Sequence, residues 1–162
     1  PLVPGGVLSF GAQTHPADGN ASIIVTTEEK AKELSSDPSM PIQVLSYGFS
    51  REKPGYMAAA PVPATRMALD EAGLSIQDMK VIKSHNPFIV NDINFAKQFG
   101  IDAGDMNNYG CSMIFGHPQG STATRIIMEG IEETVQKGGG YFLWTGCAAG
   151  DTGAALVLKI GS

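Results

Sequence analysis

Two β-rich runs at the carboxyl end, residues 141–145 and 154–160, constrain the fold more than any other feature of the sequence. A glycine-rich turn holding Gly146, Cys147 and Gly150 separates them, so they are predicted to form an antiparallel hairpin. Upstream, strand-like and helix-like segments alternate. β-Branched and aromatic residues mark strands at 21–26, 42–50 and 81–82, the first of them expected to be buried. A charged helix is predicted from Glu28 to about residue 34 behind Thr27 as N-cap, and a second helix follows Pro61, since proline at the first helical position gives up no needed hydrogen bond. Its expected buried stripe is Ala64, Met67, Ala68 and Ala72, with Gly73 as its stop. Residues 75–78 match a capping box for one short turn. A helix carrying Ile89, Ile93, Phe95 and Ala96 is expected to end at Gly100. The longest is predicted over 122–137, with Ala123, Ile126, Ile127, Ile131 and Val135 inward and Arg125, Glu129, Glu132 and Glu133 on the polar side. The fold class is therefore α/β, a mixed β-sheet covered by helices and closed by an antiparallel hairpin.

A chain of 162 residues that is 43% hydrophobic is expected to form one domain. We expect residues 1–20, rich in Gly and Pro, to be a lead-in loop and residues 21–162 the domain. A net charge of −5 without a basic run argues against nonspecific nucleic-acid binding, which depends on clustered Lys and Arg. Two cysteines make no disulfide framework, and His15, His85 and His117 lack zinc-site spacing, so no metal is expected and a reducing, cytoplasmic location is. No apolar stretch approaches the roughly 20 residues of a membrane helix. The start at Pro1 reads as a fragment or a processed half.

Three side chains stand at predicted strand ends, where open α/β sheets place their active sites. His117 lies in Gly116-His117-Pro118-Gln119-Gly120 just before the longest helix. Pro118 restricts its backbone to extended values, and a helix N-terminus favours the neutral, proton-accepting imidazole. The histidine is either such a base or a turn residue bonded to a carbonyl. Cys147 is either a thiol able to exchange protons or a small buried hydrophobe. His85 either caps the helix that begins near Pro87 or points into a cleft. Their convergence favours chemistry.

These residues resemble the carboxyl-terminal half of thiolases, acyl-coenzyme A enzymes of the condensing-enzyme superfamily. The turn from Gly116 to Gly120 matches the thiolase Gly-His-Pro-x-Gly motif, Asn107 and Gly110 match the Asn-x-x-Gly approach to it, and Gly146-Cys147 begins the Cys-x-Gly turn. Asp18-Gly19, Ile23-Ile24-Val25 and Glu28-Glu29-Lys30-Ala31 look like the stretch that opens the second half of those enzymes, and residues 61–66 like their first long helix. The resemblance implies that His117 is the base that raises a nucleophilic thiolate, that Cys147 moves protons on the acyl α-carbon, and that His85 donates a hydrogen bond to the thioester oxygen. It places the Gly116 and Ala149 backbone at the oxyanion and acyl pocket, and Thr14, Phe88 and Pro118 beside the substrate. That substrate is a coenzyme A thioester, no further cofactor is implied, and homo-oligomers are usual.

Three residues depart from the family pattern. Ala149 replaces the second glycine of Cys-x-Gly, Asn86-Pro87 replaces Glu-Ala after the donor position, and Cys111 stands at a usual glycine, where it reads as packing. The nucleophilic cysteine of the family belongs to an amino-terminal half, and nothing in this chain resembles it. The expected function is the carboxyl-terminal half of a thiolase-like acyltransferase that makes or cleaves a carbon–carbon bond beside a thioester carbonyl, inactive alone. The alternative is a noncatalytic thiolase-like assembly or acyl-binding module.

Overall fold

The computed structural model describes residues 3–161. In chain order its elements are α1 (Glu28–Leu34), β1 (Ile42–Arg51), α2 (Pro61–Ala72), β2 (Met79–His85), α3 (Ile89–Phe99), α4 (Ser112–Phe115), α5 (Thr122–Gln136), β3 (Gly140–Ala148) and β4 (Thr152–Ile160). The strands form one sheet in the order β1-β4-β3-β2. Strands β3 and β4 are the expected antiparallel hairpin, β1 joins antiparallel to β4, and β2 runs parallel to β3, so the sheet is mixed.

Helices cover both faces of the sheet. On one face α2 lies across β1 and β4, and Ala64, Ala68 and Leu69 meet Ile82, Leu143, Ala155 and Val157 with Phe95 of α3. On the other, α5 covers β2 and β3, where Ile127, Ile131 and Val135 pack on Val81, Phe142, Leu158 and Ile160. Because α5 scarcely reaches β1, Tyr47 and Phe49 are exposed on that face, opposite Leu156 and Ala154 of β4.

The approach of α2 to the sheet requires glycine. A Cβ on Gly48 would run into the Ala64 carbonyl, and one on Gly153 into the Ala60 carbonyl, both rigid backbone groups. Serines complete the seam: the Ser46 hydroxyl donates to the Ala68 carbonyl at 2.6 Å and that of Ser50 to the Ala60 carbonyl at 2.5 Å. The sequence signals for the helix ends hold. Gly73 takes φ +66° as the C-cap of α2, and Ser75 with Asp78 forms the capping box.

Three expectations are corrected. Residues 21–26 form no strand, and Ile24 and Val25 are 77% and 84% exposed. β-Branched residues make a strand only where they pair with a neighbour, and residues 21–26 pair with none of the four strands. Met67 is 53% exposed because the inward face of α2 is made by Ala64, Thr65, Ala68 and Leu69, and position 67 lies on the other side of the helix. The helix expected to end at Gly100 does so as α3, with Ile93 exposed and Asn91 and Asp92 buried. Glu133 is buried on α5, paired at 2.7 Å with Lys83 of β2, and it also receives Lys137 at 2.6 Å and Asn108 at 2.8 Å. Helical periodicity could not reveal this, since the partner that draws Glu133 inward belongs to a distant strand.

Two stability predictions follow from this packing. Gly48→Ala is expected to lower unfolding free energy by about 1–3 kcal/mol or more in urea denaturation, since the Ala64 carbonyl cannot move aside. Gly11→Ala, with open space around it, should leave the midpoint unchanged; equal midpoints for both variants would show that α2 does not sit this close. Lys83→Met should cost less than the roughly 3–5 kcal/mol of a buried charge left with no partner, because Lys137 and Asn108 still reach Glu133, and adding Glu133→Leu should recover most of that loss. No recovery in the double variant would mean that the pair is not what those residues contribute.

Candidate active site

Strand β2 ends at His85 and β3 runs beside it in parallel, with His85 opposite Gly146. Cys147 is therefore one residue beyond the register partner of His85, at the same carboxyl end of the sheet. His117 arrives from the turn that precedes α5. Its ring and that of His85 pack with centroids 4.3 Å apart and planes inclined at 34°.

The turn at His117 is shaped by its neighbours. Gly116 adopts φ +83°, and a Cβ there would come within 2.7 Å of the Ala17 Cβ and 2.8 Å of the His15 ring, so conformation and space both require glycine. Its N–H donates to the Ser112 carbonyl at 2.8 Å, which makes its contribution one of shape. Pro118 closes against Gly19. The His117 N–H donates to the His15 carbonyl at 2.8 Å, a bridge that pins the lead-in segment across the site. Thr14 strengthens it: its N–H donates to the Pro87 carbonyl at 2.8 Å and its hydroxyl to the Ser112 carbonyl at 2.5 Å. Phe88 faces Gln13 in a further bridge. The lead-in loop thus forms one wall of the site. A cleft of about 460 Å³ opens between them, lined by Thr14, His15, Pro16, Ala17, His117 and Gln119.

The structure packs the two imidazoles together, while the hydrogen-bond partner of the thiol is an amide. Cys147 is 7% exposed, and its sulfur accepts a hydrogen bond from Asn91 Nδ2 at 3.3 Å, while no hydrogen bond joins it to either histidine among the described residues. It does not line the cleft. Ala149 lies in the exposed turn after β3, where positive φ is taken by Gly150 and Asp151, so alanine at 149 meets no backbone conformation reserved for glycine. Cys111 immediately precedes α4 and is half-buried, with its thiol free.

Sequence reasoning missed the polar side chains that hold these groups. Thr122, on the first turn of α5, has its hydroxyl 2.7 Å from His117 Nδ1, and the same hydroxyl donates to the Pro118 carbonyl at 3.0 Å. Thr122 thus engages His117 through Nδ1, and Nε2 has no hydrogen-bond partner among the described residues. Asn91 accepts from the Phe88 N–H at 3.2 Å as it donates to Cys147, which aims its amide. Asp92 is buried and takes the Ser84 hydroxyl, Asn86 Nδ2 at 2.5 Å and Asn107 Nδ2 at 3.1 Å. The one cue in the sequence was that Asn91 and Asp92 occupy the first turn of α3, where polar side chains meet free N–H groups.

Burial sets the protonation states. It pushes His85 from its usual 6.5 down to about 4, with the charges of His117 and Arg125 acting in the same direction. Burial also lowers His117. It raises the Cys147 thiol, against the opposing effect of the Asn91 bond. At neutral pH the site therefore presents two neutral imidazoles and a protonated thiol, a set suited to proton transfer.

The sequence pattern of "Thiolase, C-terminal domain" matches residues 39–160, and the chain belongs to the thiolase family. It is 34% identical to a 3-ketoacyl-CoA thiolase of Aliivibrio fischeri, covering 96% of this chain and 39% of that protein. It is also 34% identical to an acetyl-CoA acetyltransferase of Syntrophomonas wolfei, with the same coverage. Among solved structures, the acetyl-CoA acetyltransferase of Bacillus anthracis superposes with a TM-score of 0.75 at 28% identity, over 83% of this chain and 34% of that one. Human mitochondrial 3-ketoacyl-CoA thiolase gives the same score and identity over 82% and 33%. The chain thus spans about two fifths of the length of the curated relatives it matches.

The lowered pKa of His85 couples folding to pH. Above 6.5 the imidazole is neutral in both folded and unfolded states, so its contribution is fully present; between 6.5 and about 4 only the unfolded chain takes up the proton, and stability falls with pH. The shift corresponds to about 3 kcal/mol lost across that window. Denaturant unfolding at several pH values should show a slope that His85→Gln reduces by this order. Parallel profiles for the two proteins would place His85 in contact with water instead.

Proposed function

We propose that this chain is the carboxyl-terminal half of an acyl-coenzyme A acyltransferase of thiolase type. It acts on a 3-ketoacyl thioester by cleaving, or forming, the bond between the α-carbon and the ketone carbon. The observation that carries the reading is the pair of neutral, packed imidazoles at the carboxyl end of β2, one of them lining a cleft, with Cys147 one register position beyond. His117, with Nε2 free, accepts the proton of a nucleophilic cysteine supplied by an amino-terminal segment. Cys147, whose thiol keeps its proton at neutral pH, exchanges that proton with the α-carbon. His85 donates to the thioester oxygen, where enolate charge develops. Thr14, Phe88 and Pro118 border the acyl-thioester, with the backbone at Gly116 and Ala149 shaping its acyl end.

The amino-terminal half is the partner that the surface supports. Tyr47, Phe49, Ile24 and Val25 are large apolar side chains left in water, on a sheet face that α5 does not cover and on the segment before α1. We propose that the missing half, encoded with this chain or as a separate subunit, covers them. The complete protein self-associates in the cytoplasm. Among the described residues no helix is long and apolar enough to cross a membrane.

The test joins this chain to an amino-terminal thiolase half and follows the acyl-cysteine by mass spectrometry. His117→Ala should slow acylation by about 10²–10⁴-fold, the usual worth of a positioned base. Cys147→Ala should leave acylation intact and block deuterium exchange at the α-carbon. The chain alone should form no acyl adduct and show no turnover. Full turnover by both variants would refute the assigned roles, and an assembly that binds acyl-coenzyme A without ever acylating would identify a noncatalytic module.

A further inference from the structure

We infer that Ser112 is the residue that makes His85 a hydrogen-bond donor, by fixing its ring in the tautomer that carries hydrogen on Nε2. The Ser112 hydroxyl is 2.9 Å from His85 Nδ1. Ser112 is fully buried, and among the described residues its hydroxyl has no other hydrogen-bond partner. If Nδ1 carried the ring hydrogen, the serine would accept it and its own hydrogen would be buried without an acceptor. The arrangement without that loss has the serine donating to the Nδ1 lone pair, so the hydrogen of the neutral ring resides on Nε2.

The serine is held in place independently of the histidine. Its N–H donates to Asn86 Oδ1 at 3.1 Å and its carbonyl accepts from Thr14 Oγ1 at 2.5 Å. Asn86 is oriented in turn by donating to Asp92 at 2.5 Å. Asn86 therefore sets where Ser112 stands, and Ser112 sets which nitrogen of His85 is protonated. At His117 the hydroxyl partner can have the opposite effect, because the Pro118 carbonyl lies 3.0 Å from Thr122 Oγ1 and offers its hydrogen an acceptor while the oxygen accepts from Nδ1–H. Two packed imidazoles are thereby assigned opposite tautomers by two hydroxyls that differ in whether a carbonyl is within reach. His117 offers a lone pair at Nε2, and His85 offers an N–H.

This inference rests on the proposed role of His85 as donor to the thioester oxygen, but its test needs no substrate. In the ring-¹⁵N-labelled chain near neutral pH, long-range ¹H–¹⁵N correlation spectra distinguish the two neutral tautomers. His85 is expected to show a single Nε2–H pattern and His117 a single Nδ1–H pattern. Ser112→Ala should abolish the single pattern at His85 and leave that of His117 in place, and Ser112→Thr should restore it. A wild-type His85 in the Nδ1–H form would overturn the inference, as would a folded S112A protein with the tautomer unchanged. If S112A fails to fold, Ser112→Cys carries the same test, since a thiol is a weak donor: a folded S112C protein with the single Nε2–H pattern undiminished would overturn the inference. Because the spectra report protonation sites without turnover, an inactive assembly with the expected tautomers would count against the proposed function alone.

Discussion

The carboxylate of Asp92 organises the end of the sheet where the two imidazoles pack together. A buried ionisable group is costly unless donors surround it, and here three side chains from three segments meet that need: Ser84 of β2, Asn86 of the following loop and Asn107. Asn107 also closes on β2, its Oδ1 accepting from the Ser84 N–H at 2.8 Å. Through Asn86 the same carboxylate determines the position of Ser112, and through Ser112 that of His85. Burial nonetheless pushes the pKa of Asp92 above the ordinary carboxylate range, its bonds opposing the shift without cancelling it. The network that spaces the site therefore stands under electrostatic load, and each donor matters to it.

The rest of the site depends on closeness that only small residues allow. Glycine at 116 lets the lead-in segment lie against the His117 turn, and the glycines at 48 and 153 let α2 sit on the sheet. Those contacts seat the strands, and parallel pairing of β2 with β3 then delivers His85 and Cys147 to the same end. Low dielectric around them keeps both rings neutral and the thiol protonated, so the chemistry supported here is proton movement and hydrogen bonding. A nucleophile is a separate requirement, consistent with a chain that spans about two fifths of the length of its curated relatives.

Much of the fold was legible along the chain because its signals are local. Pro61 opens α2, Gly73 and Gly100 end their helices in the left-handed conformation, and the turn holding Cys147 joins two strands. The errors share one cause. Residues 21–26 have strand composition but no neighbouring ladder, Glu133 has a polar identity but a buried lysine facing it, and Asn91 and Asp92 interrupt an apolar stripe because the site lies beneath them. In each case the deciding partner is remote in sequence.

The sequence by itself determined the class of the domain and most of its helices and strands, and it singled out three side chains as candidates for chemistry, since periodicity, caps and the Gly-His-Pro turn are written in adjacent residues. The tertiary structure decided what those side chains are. It packed His117 against His85, aimed Asn91 at Cys147, and gave each imidazole a hydroxyl with a different second partner. A ring nitrogen's proton is assigned by what lies within hydrogen-bond distance and how little water reaches it, and both are properties of groups that meet only when the chain has folded.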